Sequence, residues 1–327
     1  MAFDFRQYLV IGISSRALFD LEAENRIFEE QGLEAYSQYQ LEHEDDVLEP
    51  GVAFPLVNAI LQLNQLVPDK RIAEIVVMSR NSADTGLRIF KSIGARDLDI
   101  TRAAFTGGAS LAPYLNAFDV DLFLSANKAD VQAAVDAGVA AARVYDLPVA
   151  RVDASPQQIR IAFDGDAVLF SEEAENIFQR EGLEAFLQHE RDNARKPLPE
   201  GPFAKLLKTL ANLQSEFDPD HVPIRTALVT ARSSPAHERA IRTLRAWDVR
   251  VDEAFFLGGA SKDEVLKAFS PHIYFDDQDV HLKTASRHVP VAQVPHRSDQ
   301  LALDGPALPA PQHSELPRKR GGGKTDA

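Results

Sequence analysis

Short apolar runs rich in β-branched residues recur along the chain, each followed by a polar turn and then by a stretch of helical periodicity. The clearest run is Ile159–Phe163, which enters the acidic turn Asp164-Gly165-Asp166. The pattern beyond it predicts a helix from about Glu172 to His189, with Phe178, Leu183 and Phe186 at helical spacing. Proline and glycine mark a loop over Lys196–Pro202. A helix over Phe203–Phe217, a strand over Arg225–Thr230 and a helix over Pro235–Trp247 come next. A further strand precedes Gly258, a short helix covers Lys262–Phe269, and a strand over His272–Phe275 ends in Asp276-Asp277. The first half predicts strands near Leu9, Ile75, Ala104 and Leu122. Strands alternating with helices imply an α/β fold with a parallel sheet covered on both faces, and such sheets bind ligands at the carboxyl ends of their strands.

The chain repeats itself. LFDLEAEN, starting at Leu18, returns as LFSEEAEN, starting at Leu169, and QGLEAY, ending at Tyr36, returns as EGLEAF, ending at Phe186. VVMSRNS, ending at Ser82, returns as LVTARSS, ending at Ser234, and FTGGAS, ending at Ser110, returns as FLGGAS, ending at Ser261. Matches in one order at nearly constant offset indicate two copies of one unit. The expected domains are 1–152, 153–297 and a tail over 298–327. The tail is rich in Pro, Gly and Ala and has too few apolar residues to offset its ordering entropy, so it is expected to be disordered.

Composition narrows the chemistry. The 327 residues include no cysteine, which excludes disulfides, thiolate metal sites and cysteine nucleophiles. The net charge of −14 opposes nucleic-acid binding but leaves room for a phosphorylated small molecule in a locally positive or cation-bearing pocket. The apolar run Tyr8–Ile13 is short and flanked by polar residues, so it reads as a buried strand and not as an export signal. No apolar stretch is long enough to span a bilayer. The expectation is a cytoplasmic protein with no membrane partner.

Asp164 and Asp166 follow a buried strand, where an acidic pair is costly unless it binds a cation or does chemistry. Thr230 ends another predicted strand, Lys262 opens a helix after Gly258-Gly259, and Asp276-Asp277 ends a third strand. In this order the motifs resemble the haloacid dehalogenase superfamily. The resemblance implies two tandem Rossmann-like units, the second catalytic and carrying a small helical cap insertion. It makes Asp164 the nucleophile, Asp166 the general acid and then base, Thr230 a holder of the phosphoryl group, and Lys262 a partner of Asp164 and of phosphate. Asp164, Asp166, Asp276 and Asp277 become candidates for a Mg²⁺ site, Asp277 favoured over Asp276 for direct ligation. Oxygen ligands with no sulfur suit that hard cation.

The first copy lacks these groups. Ile13 to Arg16 occupy the place of Asp164 and Asp166, Met78 aligns with Thr230, Leu111 with Lys262, and Ser125-Ala126 with Asp276-Asp277. One working site, in the second copy, is the expectation. Arg80 and Arg232 align with each other, and so do the glycine pairs, which reads as shared architecture.

Longer blocks sharpen the resemblance. VVMSRNSADTGLRIFKSI and FLSANKADV in the first half, with FDGDAVLFSEEAENIF, ARKPLPEGP and PIRTALVTARSSPAHERAIRTLRAWDVRVDEAFFLGGASK in the second, are similar to cytosolic 5′-nucleotidases of type I up to about residue 295. This implies Mg²⁺-dependent hydrolysis of nucleoside 5′-monophosphates through an aspartyl-phosphate. Ala231, Arg232, Arg80 and Asn81 are substrate-binding candidates, the last two on the expectation that the first copy helps form the nucleoside pocket. The alternatives are a phosphatase for another phosphomonoester, such as a sugar phosphate, and a non-catalytic phospholigand-binding protein. The pattern sets no oligomeric state.

Overall fold

The β-branched runs become strands because both of their faces are buried. The computed structural model describes residues 3–66, 71–145, 158–218 and 222–297. The first half supplies β1 (Leu9–Ile13), β2 (Ala73–Ser79), β3 (Arg102–Phe105), β4 (Leu122–Ser125) and β5 (Ala140–Val144). The second supplies β6 (Ile159–Phe163), β7 (Ile224–Thr230), β8 (Glu253–Phe256), β9 (Ile273–Asp276) and β10 (Val291–Gln293). The first-half helices are α1 (Ser15–Leu18), α2 (Glu22–Glu42), α3 (Phe54–Leu66), α4 (Leu87–Ala95), α5 (Ala112–Ala117) and α6 (Lys128–Asp136). The second-half helices are α7 (Glu173–Asp192), α8 (Ala204–Gln214), α9 (His237–Ala246), α10 (Asp263–Phe269) and α11 (Asp279–Ala285).

The strands form one ten-stranded sheet in the order β3-β2-β1-β4-β5-β10-β9-β6-β7-β8. Each half repeats one arrangement, with β1 between β2 and β4, and β6 between β7 and β9. The halves meet edge to edge where β10 pairs antiparallel with β5 through Ala292–Val144 and Gln293–Arg143. Every other strand pairing among the described residues is parallel. Within each half the described strands pair in parallel as expected, and the antiparallel pairing lies at the junction between the halves. Neither joining strand was foreseen, because Ala140–Val144 is mostly alanine and Val291–Gln293 is only three residues long.

The junction reverses strand direction, so the carboxyl ends of the two halves open on opposite edges of the sheet. β1 and β6 are five strand positions apart, about 24 Å at the usual spacing of neighbouring strands. Alternation along the strands divides the core. Leu9, Ile11 and Ile13 of β1 join Ile159, Ile161 and Phe163 of β6 in a cluster shared by both halves and covered by α3 and α8. On the opposite face each half has its own cluster, under α5 and α6 in the first half and under α10 and α11 in the second.

α2 and α7 are both broken in mid-course by glycine. Gly32 has φ 86° and ψ −176°, and Gly182 has φ 85° and ψ −178°, a conformation reserved almost entirely for glycine. Beyond each kink the helix carries exposed apolar residues, Leu33 and Leu183 among them. Among the described residues no helix is long and apolar enough to cross a membrane. The expected domain boundary near 152 and the expected tail over 298–327 lie outside the described residues.

Candidate active site

β6 delivers Asp164 to its carboxyl end, and the Asp164 amide donates to the Phe275 carbonyl of β9 at 2.8 Å. That bond fixes the acidic turn against the neighbouring strand end, where Asp276 and Asp277 leave the sheet. A Cβ on Gly165 would lie 3.0 Å from Thr230 Oγ1 and 3.2 Å from Thr230 Cβ, so any side chain there would press on Thr230. Lys262 caps the start of α10 and is 4% exposed. Its Nζ lies 2.9 Å from Asp164 Oδ1 and 2.7 Å from Asp276 Oδ2, and donates to the Tyr274 hydroxyl at 2.9 Å. One buried ammonium thus ties together the two strand ends on either side of the β6–β9 pairing.

Asp164, Asp276 and Asp277 each place a carboxylate oxygen within 4.8 Å of the others. The electrostatics of this group call for more positive charge. Burial pushes the Asp164 carboxyl up to about 7, Lys262 opposing and Asp276 adding to the rise. Burial pushes Asp277 up to about 9, aided by Asp164 and Asp276. Burial acts the same way on Asp276, but His281 and Lys262 outweigh it and hold Asp276 down to about 2.

The two members of the Asp276-Asp277 pair differ in their partners. Asp276 is engaged by Lys262, by Tyr274 through a short hydrogen bond, by the Gln278 amide at 2.8 Å and by His281 at 3.2 Å. Asp277 Oδ1 is buried with no hydrogen-bond partner among the described residues, and Oδ2 lies 3.5 Å from His296 Nε2. An orphaned buried carboxylate oxygen beside two further carboxylates fits a divalent cation held by hard oxygen ligands.

Asp166 stands apart from this group. Arg232 grips both of its oxygens, Nε to Oδ2 at 2.9 Å and Nη2 to Oδ1 at 2.6 Å. The same guanidinium binds fully buried Glu190 of α7 through Nη1, and Arg239 of α9 holds the other Glu190 oxygen at 2.8 Å. The side chain of Asp166 is thus absent from the acidic cluster in which sequence reasoning had placed it. Thr230 ends β7 at 1% exposure, and its hydroxyl accepts from the Arg232 amide at 3.2 Å. Ala231, next to it, is exposed.

Arg80 and Asn81 do not join the site. They line a separate cavity at the carboxyl ends of the first-half strands, on the opposite edge of the sheet from Asp164. The alignment of Met78 with Thr230 is also corrected. Thr106 N donates to Ser79 O as Leu257 N donates to Thr230 O. Asn81 N donates to Ser79 Oγ at 3.2 Å, as Arg232 N does to Thr230 Oγ1. Ser79 therefore stands where Thr230 stands, and Asn81 stands where Arg232 stands. Matching the two arginines by letter had slipped the register by one residue.

Sequence reasoning missed Tyr274, His281, His296 and Glu190. Tyr274 sits two residues before Asp276, where strand alternation puts both on one face of β9, a signal that was available. His281 follows Asp276 by five residues in α11, whereas Glu190 meets Arg232 from an element 42 residues away, and no local pattern marks them.

A model of the 5′-nucleotidase family matches residues 1–301. The chain belongs to the 5′-nucleotidase family. Human cytosolic 5′-nucleotidase 1B is 40% identical over 291 residues, which is 85% of this chain and 47% of that protein. The chain thus spans about half the length of this family member. Among solved structures, histidinol dehydrogenase from Elizabethkingia anophelis overlaps 76% of this chain and 52% of its own, at TM-score 0.22 and 10% identity, a likeness too slight to carry an argument.

The site makes one stability prediction. Asp164 and Asp277 have folded-state values above the ordinary carboxylate value of 3.8. Between the two values the folded chain binds more protons than the unfolded chain, so stability falls as pH rises through about 7 and on toward about 9. Asp276 has the opposite sign, but acts only below 3.8. Thermal melts in chelator should therefore show a falling Tm across this range, and added Mg²⁺ should raise Tm more on the alkaline side than near pH 5. A Tm shift from Mg²⁺ that is equal at both ends would remove these carboxylates as its cause.

Proposed function

We propose that the second half hydrolyses nucleoside 5′-monophosphates to nucleoside and phosphate, with Mg²⁺, through an aspartyl-phosphate on Asp164. The chain is read as two haloacid dehalogenase-like units, 1–152 degenerate and 153–297 catalytic, with the kinked helix α7 as the cap beside the site. The observation that carries this reading is the buried constellation of Asp164, Lys262, Asp276 and Asp277 at one strand edge of a 5′-nucleotidase family member. By analogy with the human family member's name, the cytosol is its proposed location.

In this reading an Asp164 carboxylate oxygen attacks phosphorus and the P–O5′ bond breaks. The leaving alkoxide takes a proton from Asp166. Water then attacks phosphorus of the aspartyl-phosphate and gives its proton to Asp166, which frees phosphate and restores Asp164. Lys262 and the Thr230 hydroxyl hydrogen-bond the phosphoryl oxygens as charge spreads over them. Asp164, Asp277 and Asp276 would hold the cation, which supplies charge neutralisation between the nucleophile and a phosphate dianion. Asp166 can carry a proton to the alkoxide only when Arg232 releases it, and an arriving phosphoryl group offers Arg232 another anion to bind.

Phosphate release should be measured over a panel of nucleoside monophosphates and sugar phosphates, with Mg²⁺ and with chelator. The expected result is Mg²⁺-dependent turnover favouring nucleotides by on the order of tenfold or more in kcat/KM, the equivalent of about 1.4 kcal/mol. Equal or better turnover of sugar phosphates would replace this substrate class, and full activity in chelator would remove the cation.

A further inference from the structure

The first half has lost its catalytic groups but kept a cavity of about 440 Å³ at the carboxyl ends of β1, β2 and β4, within the size range of small-molecule sites. Its floor corresponds position by position to the Asp164 site. The Ser14 amide donates to Leu124 O as the Asp164 amide donates to Phe275 O, which places Ser14 at the position of the nucleophile. Ser79 stands for Thr230. Ser125, whose Oγ accepts from the Asn127 amide, stands for Asp276, whose Oδ1 accepts from the Gln278 amide. Leu111 fills the place of Lys262. Carboxylates and ammonium have gone together, which leaves hydroxyls and an apolar side chain.

The charges that do line the cavity are already paired. Arg16 binds Glu22 at 2.6 Å and Asn25 at 2.8 Å through its terminal nitrogens while its Nε is buried with no hydrogen-bond partner among the described residues, Arg80 binds Asp130 through one nitrogen, and Glu24 binds Arg88 at 2.8 Å. A phosphate dianion would have to share these guanidinium groups with the carboxylates that already neutralise them. The remaining lining is aromatic and neutral. Phe28 and Tyr36 meet edge to face at 6.0 Å, and Phe28 is 48% exposed at the cavity. The Tyr36 hydroxyl donates to Asn81 Oδ1 at 3.1 Å, while the Asn81 amide nitrogen is buried with no hydrogen-bond partner among the described residues.

We propose that this cavity is a second, non-catalytic site that binds an uncharged nucleoside, with the base against Phe28 and Tyr36 and the sugar hydroxyls on Ser14, Ser79 and the Asn81 amide. The choice of a nucleoside rests on the nucleotidase reading of the other half. The preference for an uncharged ligand over a phosphate rests on the carboxylates that already neutralise Arg16 and Arg80. Asn81 supplies an unspent donor, and an aromatic ring left half in solvent is covered by a planar base.

The test uses the full chain carrying Asp164→Asn, so that no probe is consumed. Adenosine and uridine, and their 5′-monophosphates, are titrated by calorimetry. The same titrations are repeated with Phe28→Ser and with Ser79→Leu added. Phe28 is exposed, so its substitution keeps the fold, which an unchanged Tm checks. At least one nucleoside should bind with an affinity that falls about tenfold or more in Phe28→Ser, and Ser79→Leu should abolish that binding. Binding unchanged in both variants, no binding by either nucleoside, or a monophosphate that binds this site more tightly than its nucleoside would each overturn the proposal. Phosphate release by the unaltered chain decides the nucleotidase reading separately.

Discussion

Asp164→Asn should leave the fold intact and reduce phosphate release by on the order of 10⁴-fold or more. An amide cannot attack phosphorus to give an acyl-phosphate, and no other carboxylate shares this position. Asp166 is gripped by Arg232, Asp276 is saturated by Lys262, Tyr274, Gln278 and His281, and the matching position in the first half is Ser14. The substitution should also relieve crowding. Asp164 is pushed up to about 7 by burial and by Asp276, so an uncharged amide removes one of the charges that raise Asp277. The variant's metal-free Tm should be no lower than that of the unaltered chain. Steady-state phosphate release and a thermal melt check both halves of the expectation, and residual activity above about a hundredth of the original would remove Asp164 from the chemical step.

Lys262→Met should produce the largest loss of stability. The chain of the two residues is of similar length, so packing changes little and electrostatics dominate. Lys262 is 4% exposed and lies within 2.9 Å of both Asp164 and Asp276, and those carboxylates together hold its pKa above the usual lysine value despite burial. Without it two buried carboxylates face each other and Tyr274 loses a donor. Breaking one side of such a buried pair costs about 3–5 kcal/mol, and losing a donor to the developing charge lowers turnover by about 10²–10³-fold. Denaturant melts in chelator measure the first effect and phosphate release the second. A variant within about 1 kcal/mol of the parent would mean that Lys262 is a bystander to the cluster.

The second half was legible because its candidate site residues sit at strand ends, and strand ends are marked by a break in the apolar run. The pattern alone places Asp164 after Ile159–Phe163, Thr230 at the end of its strand, and Asp276-Asp277 at the end of theirs. The sheet as a whole was not, because β5 and β10 carry too little β-branched character to announce themselves. That omission had a functional cost. Without the antiparallel junction the pattern does not say on which edge of the sheet each half opens, so it does not separate Arg80 and Asn81 from the Asp164 site. The register slip between Met78 and Ser79 has a similar origin. Letters align Arg80 with Arg232, whereas backbone hydrogen bonds align Asn81 with Arg232. The Glu190 bridge between Arg232 and Arg239 depends on the helix kinked at Gly182 returning to the site, a tertiary outcome that no spacing encodes.

The most direct test of the account is to trap the covalent intermediate. The full chain with Mg²⁺ and a nucleoside 5′-monophosphate is quenched in acid within the first turnovers, digested, and mapped by mass spectrometry. The account predicts one phosphoryl group on Asp164, absent in chelator and absent from Asp164→Asn. Rapid Mg²⁺-dependent turnover with no phosphoryl group on any aspartate, or with the group on another residue, would contradict it.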